Sequence, residues 1–158
     1  MIYMKIALLR YLAELLRKTH PEHFAALTTI PATFTKQRAS GESSQQASAA
    51  SREYRRPHIE LNDEGEIIRV IWSPPFMGPL RVKPADVPRY YAAARAFERL
   101  IENDPENYTL RFRLQPGTTV VFNQRRLLHG REAFSGGRRH LEGTYTNIDD
   151  YKSRLQLL

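Results

Sequence analysis

The chain contains no cysteine, a single tryptophan and no long apolar run. The absence of cysteine excludes disulfides and thiolate metal sites. No apolar run approaches the roughly 20 residues that a membrane-spanning helix needs. The basic N-terminal segment contains Glu14 and no serine, and no small-residue cleavage site follows it. We therefore interpret it as an ordinary amphipathic helix, not a transit peptide. The compartment, cytoplasmic or mitochondrial, stays open.

Length and charge restrict the class of protein. The 158 residues suffice for one domain with a core but not comfortably for two. Lysine and arginine number 24 against 17 acidic residues, so the formal net charge is +7. This balance favours anionic partners such as phosphates, acidic surfaces or small carboxylates. It does not distinguish among them.

In the first half of the chain, helical patterns precede extended ones. Apolar residues recur at helical spacing, and we predict a first helix that ends near Lys18. A second short helix should follow, with Thr19 as its N-cap and Pro21 in its first turn. Residues 28–35 are β-branched and should be extended. The apolar positions of the first helix are Ile6, Leu9, Ala13 and Leu16.

The middle of the chain predicts a loop, a hairpin and a helix. Residues 37–52 are rich in serine, alanine and glutamine, and we interpret them as a disordered surface loop. Segments 57–62 and 66–72 resemble two strands joined by a turn with Gly65. The proline-rich segment 73–84 is predicted as loop. Asp86 should cap a helix that stops before Pro105.

The stretch 114–145 organises the rest of the chain. Alternating residues predict strands over 108–114 and 120–123, with a turn at Pro116 and Gly117. A further strand is expected over 140–146 and a short closing helix over 149–158. The fold class is therefore α+β, mainly β, with an antiparallel sheet and helices packed outside it. We expect one unit spanning residues 1–158.

Three residues in the stretch 114–145 are candidates for chemistry. A histidine such as His129 can bind a metal ion, although a lone histidine at a strand end is more often structural. The planar guanidinium of Arg139 matches a carboxylate with two hydrogen bonds. It could equally be solvated or pair with a neighbouring glutamate. Tyr145 could contact a quaternary ammonium group through its ring, or pack in the core.

A non-heme Fe(II) site needs two histidines and one carboxylate on one face of the metal. An H-x-D or H-x-E pair on a strand supplies two of these ligands, because residues i and i+2 share a face. The chain has no H-x-D. Its H-x-E matches include His20 with Glu22 at a helix start and His58 with Glu60 on a predicted strand. Such short matches arise easily by chance.

The C-terminal pattern closely resembles one family. The segments FNQRRLLHGREAF, RRHLEGTY and DDYKSRL are similar to the end of the gamma-butyrobetaine and trimethyllysine dioxygenases. These form the carnitine-biosynthesis branch of the TauD/TfdA-like 2-oxoglutarate oxygenases. Upstream, LRKTHPEHFAALTTIPATF and RRPHIELNDEGEI also resemble the family. The similarity covers most of the chain except the Ser/Ala/Gln loop.

This resemblance implies a fold and a site. The fold would be a partial double-stranded β-helix, or jelly roll, with flanking helices. His129 would be the distal iron ligand, Arg139 would hold the 2-oxoglutarate carboxylate, and Tyr145 would line a trimethylammonium pocket. The implied reaction is hydroxylation of a small substrate with Fe(II) and 2-oxoglutarate, and ascorbate as reductant. The family's H-x-D pair is expected N-terminal to this chain, which would then be a truncated or partial oxygenase.

The resemblance also bears on partners. Family members are commonly dimers, so we expect a homodimer or pairing with a longer homologue, and no membrane association. The alternative function is a non-catalytic fragment, or a basic module that binds an acidic partner or nucleic acid. Such a module would use Arg111, Arg113, Arg125, Arg126, Arg131, Arg138 and Arg139. No helix-turn-helix, RNP or zinc pattern accompanies these arginines, so nucleic acid is not expected.

Overall fold

The computed structural model describes residues 3–36, 52–103, 108–124, 126–132, 136 and 140–157. Helices and strands are mixed in this part of the chain. The helices are α1 (Leu9–Thr19), α2 (Pro21–Thr29), α3 (Asp86–Asn103) and α4 (Ile148–Leu155), with a 3-10 turn at Pro74–Phe76. The strands are β1 (Tyr3–Leu8), β2 (Ala32–Lys36), β3 (Arg52–Arg56), β4 (Ile59–Leu61), β5 (Ile67–Val70), β6 (Thr109–Arg113) and β7 (Leu127–Arg131).

The described strands form three small antiparallel sheets. One has the order β6–β1–β7, and the other two are the pairs β2–β3 and β4–β5. The predicted mixture of helices and sheets is therefore confirmed. The strands in the described ranges do not close into a jelly roll, so that arrangement stays a prediction.

The predicted start of the first helix was wrong. Residues 3–8, including Ile6, form strand β1, and the helix begins only at Leu9. Pairing explains the difference, because β1 lies between β6 and β7 and bonds to both. Such non-local pairing overrides a local helical pattern. The rest of the apolar stripe is confirmed, with Leu9, Ala13 and Leu16 buried on α1.

The junction between α1 and α2 differs from the prediction by one residue. Thr19 ends α1 and its hydroxyl donates to the Leu15 carbonyl at 2.8 Å, so it does not cap α2. The residue before α2 is His20, and Pro21 occupies the first turn as predicted. A proline fits there because the first backbone N–H groups of a helix have no partner within the helix.

Two further elements follow their sequence patterns. The β4–β5 hairpin turns through Gly65, whose φ of +79° favours glycine, and its N–H donates to the Asn62 carbonyl at 3.0 Å. Helix α3 begins at Asp86 as predicted. Residues 37–51 of the predicted loop lie outside the described residues, whereas Arg52 belongs to β3.

The C-terminal strands were only partly predicted. Strand β6 and helix α4 are present, but residues 119–123 and 140–147 are not strands. The strand that carries His129 runs instead from Leu127 to Arg131 and pairs with β1. The alternation at 120–123 was misleading, because Val121 is 86% exposed and has no core to face.

The core lies where the first three helices meet the β4–β5 hairpin. Its fully buried side chains come from each of these elements and from β2. They include Leu12, Leu16, Leu27, Phe34, Ile59 and Phe97. The ring of Phe97 meets Trp72 edge-on, with centroids 5.1 Å apart, and so joins α3 to the segment after β5.

One buried polar group, His58, links the hairpin to α3. Because a carbonyl only accepts, Nδ1–H must donate to the Ile71 oxygen (2.7 Å), and the Tyr90 hydroxyl then donates to Nε2 (2.9 Å). Burial lowers the pKa of His58, against the opposing effect of the Ile71 hydrogen bond. Burial, with a smaller effect of Tyr91, raises the pKa of Tyr90 to about 12. This pair is therefore neutral at pH 7.

Candidate functional site

An open cavity of about 1080 Å³ lies between the β6–β1–β7 sheet and the segment from β5 to the 3-10 turn. Its lining combines aromatic rings, cationic side chains and one imidazole. The rings are Tyr54, Trp72, Phe76 and Tyr145, the cations are Lys5, Arg56, Arg69 and Arg131, and the imidazole is that of His129. A cavity that mixes apolar walls with a few convergent polar groups is the usual form of a small-molecule site.

His129 is positioned by the turn that starts β7. The N–H groups of Arg126 and Leu127 both donate to the Asn123 carbonyl, at 3.0 and 3.2 Å. This turn directs the chain into register with β1, where His129 lies opposite Ile6. The imidazole is exposed and packs against the Phe122 ring, with centroids 4.8 Å apart. No hydrogen bond holds its nitrogens within the described residues, so they are available to a ligand.

The structure brings together two of the three predicted site residues. Tyr145 is 79% exposed and borders the same cavity as His129. The predicted strand around Tyr145 is absent, so a loop presents this ring to the cavity. Arg139 lies outside the described residues. Its predicted role is therefore untested.

Neither the His58/Glu60 pair nor the His20/Glu22 pair forms a metal site. His58 is fully buried with both nitrogens engaged. Glu60 pairs instead with Arg56 at 3.0 Å and Arg69 at 3.2 Å. In the His20/Glu22 pair, His20 Nδ1 lies 2.9 Å from the Thr19 hydroxyl, and the Glu22 carboxylate lies near the His23 ring. These partners occupy the side chains that the pattern offered as ligands.

A complete three-ligand iron site is also absent from the part of the chain that the structure describes. No three histidine or carboxylate side chains meet there. Fe(II) in this class of site needs two imidazoles and a carboxylate. His129 offers one imidazole, so the described residues do not fit the metal by themselves.

The charges around the cavity favour an anion. Glu60 neutralises part of the charge of Arg56 and Arg69, whereas Lys5 and Arg131 are exposed cations on its wall. Lys5 was missed because its segment was predicted as helix. The segment YMKIAL has no regular alternation of polar and apolar residues that would have indicated a strand.

A carboxylate next to β7 is held within the sheet. Arg111 on β6 donates two hydrogen bonds to Glu132, at 2.6 and 2.8 Å, across the central strand β1. These hydrogen bonds lower the pKa of Glu132. The positive charge of nearby Lys5 also lowers it. Glu132 therefore stays ionised and is already paired with Arg111.

The structure describes four of the seven arginines of the alternative basic module, so that alternative stays a prediction. Arg111 is paired with Glu132, and Arg113, Arg126 and Arg131 are exposed. The others, Arg125, Arg138 and Arg139, lie outside the described residues.

Of the helices described, none has the length and apolar character to cross a bilayer.

Comparison with known proteins identifies the family. The sequence model of the "Taurine catabolism dioxygenase TauD, TfdA family" matches residues 9–145. A trimethyllysine dioxygenase of Meyerozyma guilliermondii is 34% identical over 148 residues, which are 92% of this chain and 35% of that protein. The human gamma-butyrobetaine dioxygenase is 35% identical over 104 residues, 63% of this chain and 26% of its own length.

A third relative shows the same pattern. The trimethyllysine dioxygenase of Neurospora crassa is 38% identical over 103 residues, covering 62% of this chain and 21% of that protein. The chain thus spans between 21% and 35% of the length of these three relatives. The predicted resemblance is confirmed: this chain belongs to the TauD/TfdA dioxygenase family.

Proposed function

We propose that this chain is part of an Fe(II)- and 2-oxoglutarate-dependent dioxygenase that hydroxylates a small substrate. The family match over residues 9–145 carries this proposal. The cavity supports it, because His129 and Tyr145 border one space with exposed cations on its wall. We assign the whole chain, residues 1–158, to the C-terminal portion of one such domain. Its strands would belong to a jelly roll with flanking helices, completed by further strands.

Two of the predicted residues would bind the metal and the cosubstrate. His129 would supply one imidazole to Fe(II), and the remaining ligands would come from outside the described residues. Arg139 would hold the distal carboxylate of 2-oxoglutarate with two parallel hydrogen bonds. Ascorbate would serve as reductant. No catalytic step is assigned to the described residues, because they do not complete the metal site.

The cavity lining also bears on the substrate. The relatives are named for trimethyllysine and gamma-butyrobetaine. The exposed ring of Tyr145 on the cavity lining supports recognition of a trimethylammonium group by cation–π contact. Lys5 and Arg131 would repel that group and attract a carboxylate. We therefore propose a substrate with a cationic end near Tyr145 and an anionic end near Lys5 and Arg131.

Oligomerisation is the remaining part of the proposal. Pairing with a longer homologue would supply the ligands that the described residues lack, and a homodimer is the other arrangement that we propose. Open sheet edges support such pairing, since an unpaired edge strand tends to find a partner strand.

The metal role of His129 can be tested with Mn²⁺, a redox-silent substitute whose paramagnetism broadens nearby proton signals. A single imidazole binds weakly, so we expect a dissociation constant of about 1 mM and selective broadening of the His129 ring signals. The adjacent Phe122 ring signals should broaden too, and their broadening should vanish in His129→Gln. It should persist in His140→Gln, which removes an exposed histidine paired with Glu142. Equal broadening of all five histidines would contradict the assignment.

The role of Arg139 can be tested by calorimetry with 2-oxoglutarate in the presence of Mn²⁺. We expect Arg139→Ala to weaken binding about tenfold or more, because two charge-assisted hydrogen bonds are lost. Arg139→Lys should recover only part of this, since an ammonium lacks the planar fork. The control is Arg99→Ala, an exposed residue of α3. Salt-sensitive DNA binding without affinity for 2-oxoglutarate would favour the basic module instead.

A further inference from the structure

The cavity wall that follows β5 has little backbone pairing of its own. The β4–β5 register ends with Ile59 opposite Val70. Ile71 and Trp72 come directly afterwards, and both line the cavity. After Ile71, the next N–H of this segment with a backbone partner in the described residues is that of Phe76, in the 3-10 turn. Contacts with side chains must therefore hold this part of the wall in place.

One buried residue, His58, contacts both Ile71 and Trp72. The Ile71 N–H donates to the His58 carbonyl at 2.7 Å, and His58 Nδ1–H donates to the Ile71 carbonyl, also at 2.7 Å. The imidazole packs against the indole of Trp72, with ring centroids 4.9 Å apart. Both backbone groups of Ile71 and the side chain of Trp72 are thus held by a single residue that is fully buried.

The other nitrogen of the same ring connects the wall to α3. The Tyr90 hydroxyl donates to Nε2 of His58 at 2.9 Å, and Phe97 of α3 packs against Trp72 as well. Nε2 can accept this hydrogen bond only while His58 is neutral, because a protonated imidazole donates from both nitrogens. The connection from α3 to the cavity wall therefore depends on the charge of one ring.

The surroundings of His58 do not favour its charged form. Among the described residues its ring contacts Phe34, Trp72, Tyr90 and the Ile71 carbonyl, and of these groups only Tyr90 titrates. Burial lowers the pKa of His58 accordingly. Segment 71–80 has no charged residue, and β2 has none before its last position. The nearest charged side chains along the hairpin and α3 have partners elsewhere: Glu60 with Arg56 and Arg69, and Arg89 with Asp86.

We propose that neutral His58 is a positioning residue for this cavity: it holds Ile71 and Trp72 against α3, and its protonation releases this part of the wall and weakens ligand binding. The effect reaches the site because the released residues line the cavity. Its sign also differs from that of a simple charge effect. An added positive charge near the cavity would strengthen the binding of an anion, whereas a displaced wall weakens it.

Two neutral replacements separate the contacts of the ring. The amide of His58→Asn falls near the position of Nδ1 and can donate to the Ile71 carbonyl, whereas His58→Gln reaches toward Nε2 and Tyr90. We expect the asparagine variant to keep the wall in place and the glutamine variant to release it. A role in core packing alone predicts the opposite order, because asparagine is smaller and leaves the larger cavity.

The position of the wall can be measured without a ligand, by acrylamide quenching of the single tryptophan, Trp72. In the parent we expect the quenching constant to rise at least about twofold between pH 7.5 and 4.5, with helix content by circular dichroism unchanged. His58→Asn should stay protected at both pH values, and His58→Gln should be exposed at both. Tyr90→Phe should move the transition up by about 0.4–1 pH unit, because the neutral ring loses a hydrogen bond that favours it.

Ligand binding is measured by calorimetry with 2-oxoglutarate and Mn²⁺, and this measurement rests on the proposed function. At pH 7.5 we expect His58→Gln to bind at least about threefold more weakly than His58→Asn. The parent should match His58→Asn at pH 7.5 and lose affinity relative to it at pH 5.5. Groups that titrate in all three proteins cancel in this comparison.

Several results would overturn the inference. These are equal quenching in the asparagine and glutamine variants, a parent that stays protected at pH 4.5, and exposure of Trp72 that appears only when helix content is lost. Tighter 2-oxoglutarate binding in the parent than in His58→Asn at pH 5.5 would indicate a charge effect instead. If no protein bound 2-oxoglutarate, the proposed function would fail, and the quenching of Trp72 would still decide the role of His58.

Discussion

Phe97→Ala is expected to lower the free energy of unfolding by about 3–5 kcal/mol, as large-to-small substitutions in cores do. Phe97 is fully buried and its ring meets Trp72 across the boundary between α3 and the hairpin segment. Truncation removes that contact and leaves a cavity that the surrounding helices can fill only in part. Few positions in the described core join two elements through so large a side chain.

Urea unfolding followed by fluorescence measures this effect directly. Trp72 is the single tryptophan of the chain, so the signal reports on the partner of Phe97. The neighbouring exposed residue provides the control, because Glu98→Ala should change the free energy by no more than about 0.5 kcal/mol. A loss below about 1 kcal/mol for Phe97→Ala would mean that the helix does not pack on Trp72 as described.

His58 should make the protein less stable as the pH falls below neutrality. Burial keeps the folded-state pKa of His58 below its ordinary value of 6.5, so the unfolded chain binds the extra proton first. The stabilisation is complete above pH 6.5 and decreases as the pH falls through that value. Between pH 7 and 5.5 we expect this group to lower the free energy of unfolding by at most about 1 kcal/mol.

The pH dependence can be separated from the loss of packing. His58→Gln should be less stable at pH 7 by about 1–3 kcal/mol, because Tyr90 and the Ile71 carbonyl lose a matched partner. Its stability should nevertheless change little between pH 7 and 5.5. His140→Gln, which replaces an exposed histidine, should keep the full slope. If the slope survived in His58→Gln, another group would be responsible.

The candidate site was only partly predictable. The motif around His129 identifies the family, and the cavity has both His129 and Tyr145 on its rim. The sequence pattern could not reveal Lys5 as part of that wall, because β1 becomes a strand only by pairing with β6 and β7, which lie more than 100 residues away in the chain. The pairing of β1 with β6 and β7 therefore places the positive charge of Lys5 on the cavity wall.

His58 is a second residue whose role the local sequence could not determine. Its H-x-E spacing allowed a metal ligand on a strand, and its local sequence could not exclude that. Tyr90 comes from α3, 32 residues further along the chain, and its hydroxyl occupies the nitrogen that a metal would need. A core histidine with both nitrogens hydrogen-bonded and a histidine that can bind a metal differ only in the groups that the fold packs against them.

The sequence by itself determined the local features: the apolar stripe of α1, the turn at Gly65, the start of α3 and the family motif. These depend on residues within one or two turns of each other, where periodicity and backbone preference act directly. Only the tertiary structure decided that residues 3–8 form a central strand, that His58 is buried, and that β7 pairs with β1. Those features depend on which distant strand or helix comes to lie alongside, and no local pattern encodes that choice.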